Sequence, residues 1–170
     1  VLGEQLRVHL ERLARLLGGH AATLERSFLK GLRKAGYDVM QRRALAAITP
    51  GAGSKLFAAG KPATDFFEQV EYNGRRLAKL NLSPEQIIGA LGEYDRLLTR
   101  LFRRLPAMER ANLGWAREQL QFCVVLTLNN AFYQVREAET SAYQDLFRAE
   151  LESGSMDELL PRMLETLTRF

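Results

Sequence analysis

The stretch from Gly74 to Leu91 reads Gly-Arg-Arg-Leu-Ala-Lys-Leu-Asn-Leu-Ser-Pro-Glu-Gln-Ile-Ile-Gly-Ala-Leu, and it constrains the fold more than any other segment. It spells the end of one helix, a tight corner and the start of another. Asn81 tolerates the left-handed conformation that closes a helix, and Ser83 supplies the oxygen that caps the next. Pro84 follows at the first helical position, where its missing N–H removes nothing. Gln86, three residues past Ser83, completes a capping-box pattern, and Glu85 suits the positive end of the helix dipole. A chain built around this corner is expected to be helical on both sides of it.

Composition agrees with that expectation. Of 170 residues, 46% are hydrophobic and 26% charged, which suits one soluble domain with a sizeable core. There are only five prolines, and the Val-Thr-Ile alternation of strands is nearly absent, so the fold class is read as all-α. Charges interrupt every apolar run well short of the ~18 residues of a spanning helix, so no membrane partner is expected. The lone cysteine, Cys123, excludes an internal disulfide framework and suits a reducing cytoplasm. No signal peptide is visible, and Val1 in place of Met is expected to be an internal starting point. The net charge is +4, and its densest group is Arg96, Arg100, Arg103 and Arg104 on one helical face. Leu97, Leu98 and Leu101 fill the rest of that helix, so these arginines read as its wet side. Nucleic-acid binders carry denser basic patches with aromatic platforms, and none is expected here.

Taken in order, Leu2, Leu6, Leu10, Leu13 and Leu17 make an amphipathic helix that Gly18-Gly19 is expected to interrupt. A second helix carries Leu24, Phe28, Leu29 and Leu32 inward and ends near Gly36. Residues 38–47 suit a short helix, and Ile48 to Ser54 reads as the clearest loop because of Pro50, Gly51 and Gly53. Gly51, Gly53 and Lys55 suggest a phosphate cradle, but the spacing and a preceding strand are both missing. Thr64 or Asp65 is expected to cap a helix carrying Phe66, Phe67, Val70 and Leu77. After the corner, a helix from Pro84 to about Leu105 is expected to bury Ile87, Ile88, Leu91, Tyr94, Leu97, Leu98 and Leu101.

Pro106 opens the longest element, about Ala107 to Glu152, which at ~1.5 Å per residue would exceed ~60 Å and must break or project. From Leu120 to Leu128 it is apolar nearly all round, which implies burial on several sides. Leu128, Phe132, Val135, Ala142 and Leu146 then form a narrow seam of the kind that meets a partner helix. Glu152-Ser-Gly-Ser-Met-Asp breaks the helix, and Ser155 with Glu158 makes a second capping box.

Gly74, Leu80, Asn81, Leu82, Pro84, Ile88, Gly89 and Ala90 carry a resemblance to the globin domains of bacterial globin-coupled sensors. In that family a Gly is followed three residues later by the haem-ligating His, then by an apolar-Gly-Leu-x-Pro corner, an aromatic pair and Ile-Gly-Ala. Here Leu77 stands where the His belongs, and Gln86-Ile87 replace the aromatic pair. The family's Phe-Tyr pair, whose Tyr donates to haem-bound oxygen, is matched by Phe28-Leu29. Leucine has no lone pair for iron. The resemblance therefore implies a globin-like sensor domain over residues 1–152 that has lost haem, similar to stressosome sensor globins. Its implied ligand-pocket residues are Phe28, Leu29, Phe67, Leu77, Ile88 and Leu91. The family dimerises through its last two helices, which implies a homodimer over the seam residues Leu128, Phe132, Val135, Ala142 and Leu146. Residues 153–170 resemble the opening helix of a GAF domain, with Leu159, Leu160, Met163, Leu164 and Leu167 on one face.

The catalytic inventory is thin. His9 and His20 have no companions at metal-ligand spacing, and Cys123 has no nearby His or second Cys. No enzyme is expected. The leading expectation is a haem-free sensory and dimerisation module that passes the effect of a small apolar ligand or protein partner to a downstream domain. The alternatives are a haem gas sensor with an unusual axial ligand, His20 or Cys123, and a purely structural dimeric spacer.

Overall fold

A computed structural model describes residues 2–152, 160–161, 163–165 and 168, and these are helical apart from short connections. The elements are α1 (Leu2–Lys34), α2 (Val39–Ala47), α3 (Pro50–Ala58), α4 (Ala63–Lys79), α5 (Pro84–Phe102) and α6 (Ala107–Glu152). No strand occurs among the described residues. None of their helices is long and apolar enough to cross a membrane. The chain divides into two compact units, Val1–Ala131 and Phe132–Phe170.

In the first unit, Leu13, Leu17, Leu24, Phe28 and Leu32 of α1 form one buried stripe. That stripe explains why Gly18-Gly19 does not split the helix, contrary to the sequence expectation. The register from Leu17 to Ala21 and Leu24 runs past the glycines, which face open solvent. Two exposed helical glycines cost ~1 kcal/mol each against alanine, less than burial of the flanking leucines returns. α2 starts at a capping box, in which the Gln41 backbone N–H donates to the Asp38 carboxylate (2.8 Å) and Gln41 Oε1 accepts from the Asp38 N–H (3.0 Å).

Most of the segment expected as a loop, Ile48 to Ser54, is instead the first half of α3. Thr49 caps it, its hydroxyl oxygen accepting from the Ala52 N–H at 3.3 Å, and Pro50 sits at the first helical position. Gly51 and Gly53 are there for closeness. A Cβ on Gly51 would overlap the Tyr94 hydroxyl oxygen, and one on Gly53 would press on the Phe66 ring at 3.2 Å. α4 begins two to three residues earlier than expected, since Pro62 and not Thr64 or Asp65 holds the cap position; it has no side-chain cap, and Asp65 pairs instead with Lys61 at 3.7 Å.

The corner has the expected chemistry. Asn81 takes φ 58, and Ser83 and Gln86 form a capping box. It is also tied to the first helices, since the Tyr37 hydroxyl donates to the Gln86 carbonyl (3.0 Å) and Gln41 Nε2 to the Leu80 carbonyl (3.3 Å). α5 buries Ile87, Ala90, Leu91, Tyr94, Leu98 and Phe102. Ile88, expected inside, is 48% exposed, because one residue along a helix is a turn of ~100° away from Ile87.

α6 runs unbroken from Ala107 to Glu152. Within the first unit it buries Leu113, Ala116, Leu120, Val124 and Leu128, while Phe122 and Leu126 are exposed. The apolar run from Leu120 to Leu128 is therefore covered on one face, not on several. Gly74 lets α4 approach closely: a Cβ there would meet Leu128 Cδ2 and Ala131 Cβ, each at 3.0 Å. Arg117 joins α6 to α5, with its Nε 3.3 Å from an Asp95 carboxylate oxygen and its guanidinium over the Phe102 ring.

In the second unit, Phe132, Val135 and Ala149 are buried, Ala142 and Leu146 half-buried, and Tyr133, Tyr143, Phe147 and Leu151 exposed. Leu160 and Leu164 are helical and exposed. The expected Ser155–Glu158 capping box, with Leu159 and Leu167, lies outside the described residues.

Candidate functional site

The first unit contains a cleft of about 400 Å³. Ala21, Glu25, Phe28 and Leu29 of α1 form one wall, and Arg43, Ala46 and Ala47 of α2 another. Ala52, Lys55 and Leu56 of α3 face them, with Thr49 and Gly51 at the N-terminal end of α3, Gln69 from α4 and Tyr94 from α5. Its size falls in the range of small-molecule sites, ~300–1,000 Å³.

The inner end is polar but self-satisfied. Tyr94 is buried, and its hydroxyl is hydrogen-bonded to the Thr49 side chain and to the backbone of Gly51. Burial pushes the pKa of that hydroxyl up to about 12, reinforced by the Glu25 carboxylate and opposed by the two hydrogen bonds. The Thr49 hydroxyl donates to the Ala46 carbonyl at 2.8 Å. Gln69 Nε2 donates to the Ala47 carbonyl at 2.6 Å, closing the end of α2. Phe28 stands edge-on to Tyr94, with ring centroids 5.2 Å apart. The rim is charged: Lys55 Nζ and Glu25 Oε2 lie 2.7 Å apart across α3 and α1. Arg43, exposed at the same rim, pairs with no acidic side chain among the described residues.

The pocket residues implied by the resemblance do not converge. Phe28 and Leu29 line the cleft. Leu77 is fully buried in α4, outside the cleft lining. Leu91 borders a small void with Ile48, Leu98 and Val124, Phe67 a shallow surface depression with Leu126, and Ile88 lies on the outer face of α5. Of the expected seam, Leu128 packs against Gly74 inside the first unit, while Phe132, Val135, Ala142 and Leu146 belong to the second.

Haem, which the resemblance implies for relatives that keep the ligand, is tested by the donors present. Leu77 offers none, His20 is exposed on α1, and Cys123 is half-buried on α6. The His9 ring stands edge-on to Trp115 at 6.1 Å. None of these side chains lines the cleft, so this donor set does not fit an axial ligand at the family's position. Among the described residues no group of three or more His, Cys, Asp or Glu is placed to hold a metal ion.

Arg43, Thr49, Gly51 and the Lys55–Glu25 pair form no motif in the sequence. They come from three consecutive helices and the cap between two of them, and the pair of glycines at Gly51 and Gly53 is the local sign of a close approach there. Comparison with protein-family models, curated proteins and solved structures finds no match.

Proposed function

We propose that this chain is a haem-free, globin-type sensory and dimerisation module of a bacterial signal-transduction protein. The observation that carries the proposal is Leu77, which is fully buried where the resembling sensor domains place their iron ligand. A buried leucine there stabilises by ~1.5–3 kcal/mol and supplies no axial ligand from that position. The cleft against Phe28 and Leu29 gives a sensor somewhere to receive a small molecule. The exposed Tyr143, Phe147 and Leu151, four residues apart on α6, give a second copy an apolar face to cover. A signal acts by favouring one of two arrangements of the long helices, and the last helix hands that bias to a following domain.

The decisive experiment is expression with added haem. The purified protein should show no Soret band near ~400 nm, since Leu77 supplies no lone pair for iron and no histidine or cysteine lines the cleft. Leu77→His should lower stability and still bind no haem if the site is packed shut. A red wild-type protein overturns the proposal. Sedimentation checks the other half: a dimer that Tyr143→Lys with Phe147→Lys converts to monomer supports it, and a wild-type monomer at high concentration sinks it.

A further inference from the structure

We infer that the cleft binds a small aryl monocarboxylate, with the Arg43 guanidinium receiving the carboxylate. The inference rests on the sensor reading for its signalling consequence, but its binding arm stands on the cleft alone.

Charge selects the sign of the ligand. Lys55 and Glu25 neutralise one another at 2.7 Å, which leaves Arg43 as the rim cation with no acidic partner among the described residues. A planar guanidinium matches a carboxylate with two parallel hydrogen bonds. A phosphate dianion needs a second free cation, and the Glu25 carboxylate nearby repels surplus negative charge. An amine finds Glu25 already occupied.

Shape selects the body. Ala21, Ala46, Ala47, Ala52 and Gly51 present nothing larger than a methyl group to the cleft. Walls carrying so many methyl groups leave room between the helices for a ring, and Phe28, Leu29 and Leu56 add apolar surface to meet it. A rigid ring gives up little conformational freedom on entering, whereas a flexible chain of equal size loses a torsion at each carbon. The Tyr94 and Thr49 hydroxyls are engaged with their own partners, so orientation falls to Arg43.

The test is calorimetric titration of the whole chain with 2-naphthoate, with 2-naphthol and octanoate as comparisons. The expected dissociation constant for 2-naphthoate is on the order of 100 µM, in keeping with a ligand of this size. Naphthol, lacking the charge, should bind about tenfold weaker or less, and Arg43→Gln should weaken naphthoate by a similar factor with no change in melting temperature. Ala52→Leu, which fills the slot, should abolish binding. Absence of heat at millimolar naphthoate, equal affinity for naphthol, or an unchanged Arg43→Gln variant overturns the inference. Octanoate binding as tightly as naphthoate overturns its aryl part. If naphthoate binds as expected but leaves amide hydrogen exchange along α6 unchanged, the cleft assignment stands and the sensor reading falls. Dimerisation without naphthoate binding sinks the cleft assignment and leaves the dimeric module standing.

Discussion

Two close helix approaches in the first unit use glycine to opposite ends. At Gly74, α4 comes so near α6 that an added Cβ would meet Leu128 and Ala131 at 3.0 Å, and Leu77 one turn on is sealed from solvent. At Gly51, α3 comes up against α5, but only a hydroxyl fills the gap, and a cleft of about 400 Å³ opens beside it. One contact is apolar throughout and closed. The other is polar at its point of contact and open at its edge. A helical protein can thus keep its core on one side while leaving room for a small molecule on the other.

Truncation separates the two sides most strongly. Leu77→Ala leaves a cavity in a closed region and should lower stability by ~2–5 kcal/mol in urea denaturation. Leu29→Ala merely widens a space that water already reaches, so a loss of ~1 kcal/mol or less is expected. Equal losses would show that the cleft is closed in solution, and the contrast between the two contacts would vanish.

Next in size is Gly51→Ala. The new methyl gains ~1 kcal/mol of helix propensity but lands on the Tyr94 oxygen, which is held by a buried ring and cannot swing away. A net loss of ~2–3 kcal/mol is expected, as for overpacking elsewhere. Tyr94→Phe removes the offending oxygen, leaving the ring carbon at 3.2 Å from the added Cβ, so the double variant should recover much of the loss. A coupling of ~1–2 kcal/mol in the double-mutant cycle is the expected signature, and strict additivity would mean that the two groups do not touch.

This glycine also marks the border between what is legible in the sequence and what is not. The corner at Asn81 and Ser83 is readable because caps are local chemistry: the residues that decide it are neighbours in the chain. All-helical architecture follows from the same local signals. Gly18-Gly19 and Gly51-Gly53 look like breaks and are not, because glycine's local weakness is outvoted by its surroundings. At Gly18-Gly19 the leucine stripe of α1 decides; at Gly51 the Thr49 cap and Pro50 start the helix, and the Tyr94 hydroxyl demands a residue without a Cβ. Ile88 carries an apolar side chain into solvent for no reason local to it. The cleft is hidden for the same reason, since Glu25, Arg43, Lys55, Gln69 and Tyr94 lie on five different helices.

Alkaline pH probes the open contact a third way. The Tyr94 hydroxyl titrates near 10 when the chain is unfolded and at about 12 when folded. Its neutral form is the one the fold favours, so the contribution is fully present below pH 10 and is lost as pH rises toward 12. Between those limits stability should fall by an extra ~1.4 kcal/mol per pH unit. Tyr94→Phe should lack that component when the two proteins are compared across the same range. A parallel pH dependence in both would place the hydroxyl in water.

The smallest effect belongs to the rim. Lys55 and Glu25 touch at 2.7 Å, yet both side chains are about half exposed, so water and salt screen their attraction. Lys55→Met keeps the aliphatic stem along the cleft and removes only the charge, and it should change stability by ~0.5 kcal/mol or less. Its consequence lies elsewhere. Releasing the Glu25 carboxylate cancels the surplus positive charge that Arg43 gives the rim, so naphthoate binding should weaken severalfold while the fold is unmoved. A variant that loses stability but keeps affinity would identify the pair as a strut between α1 and α3, and would leave the rim's charge without a part in selecting the ligand.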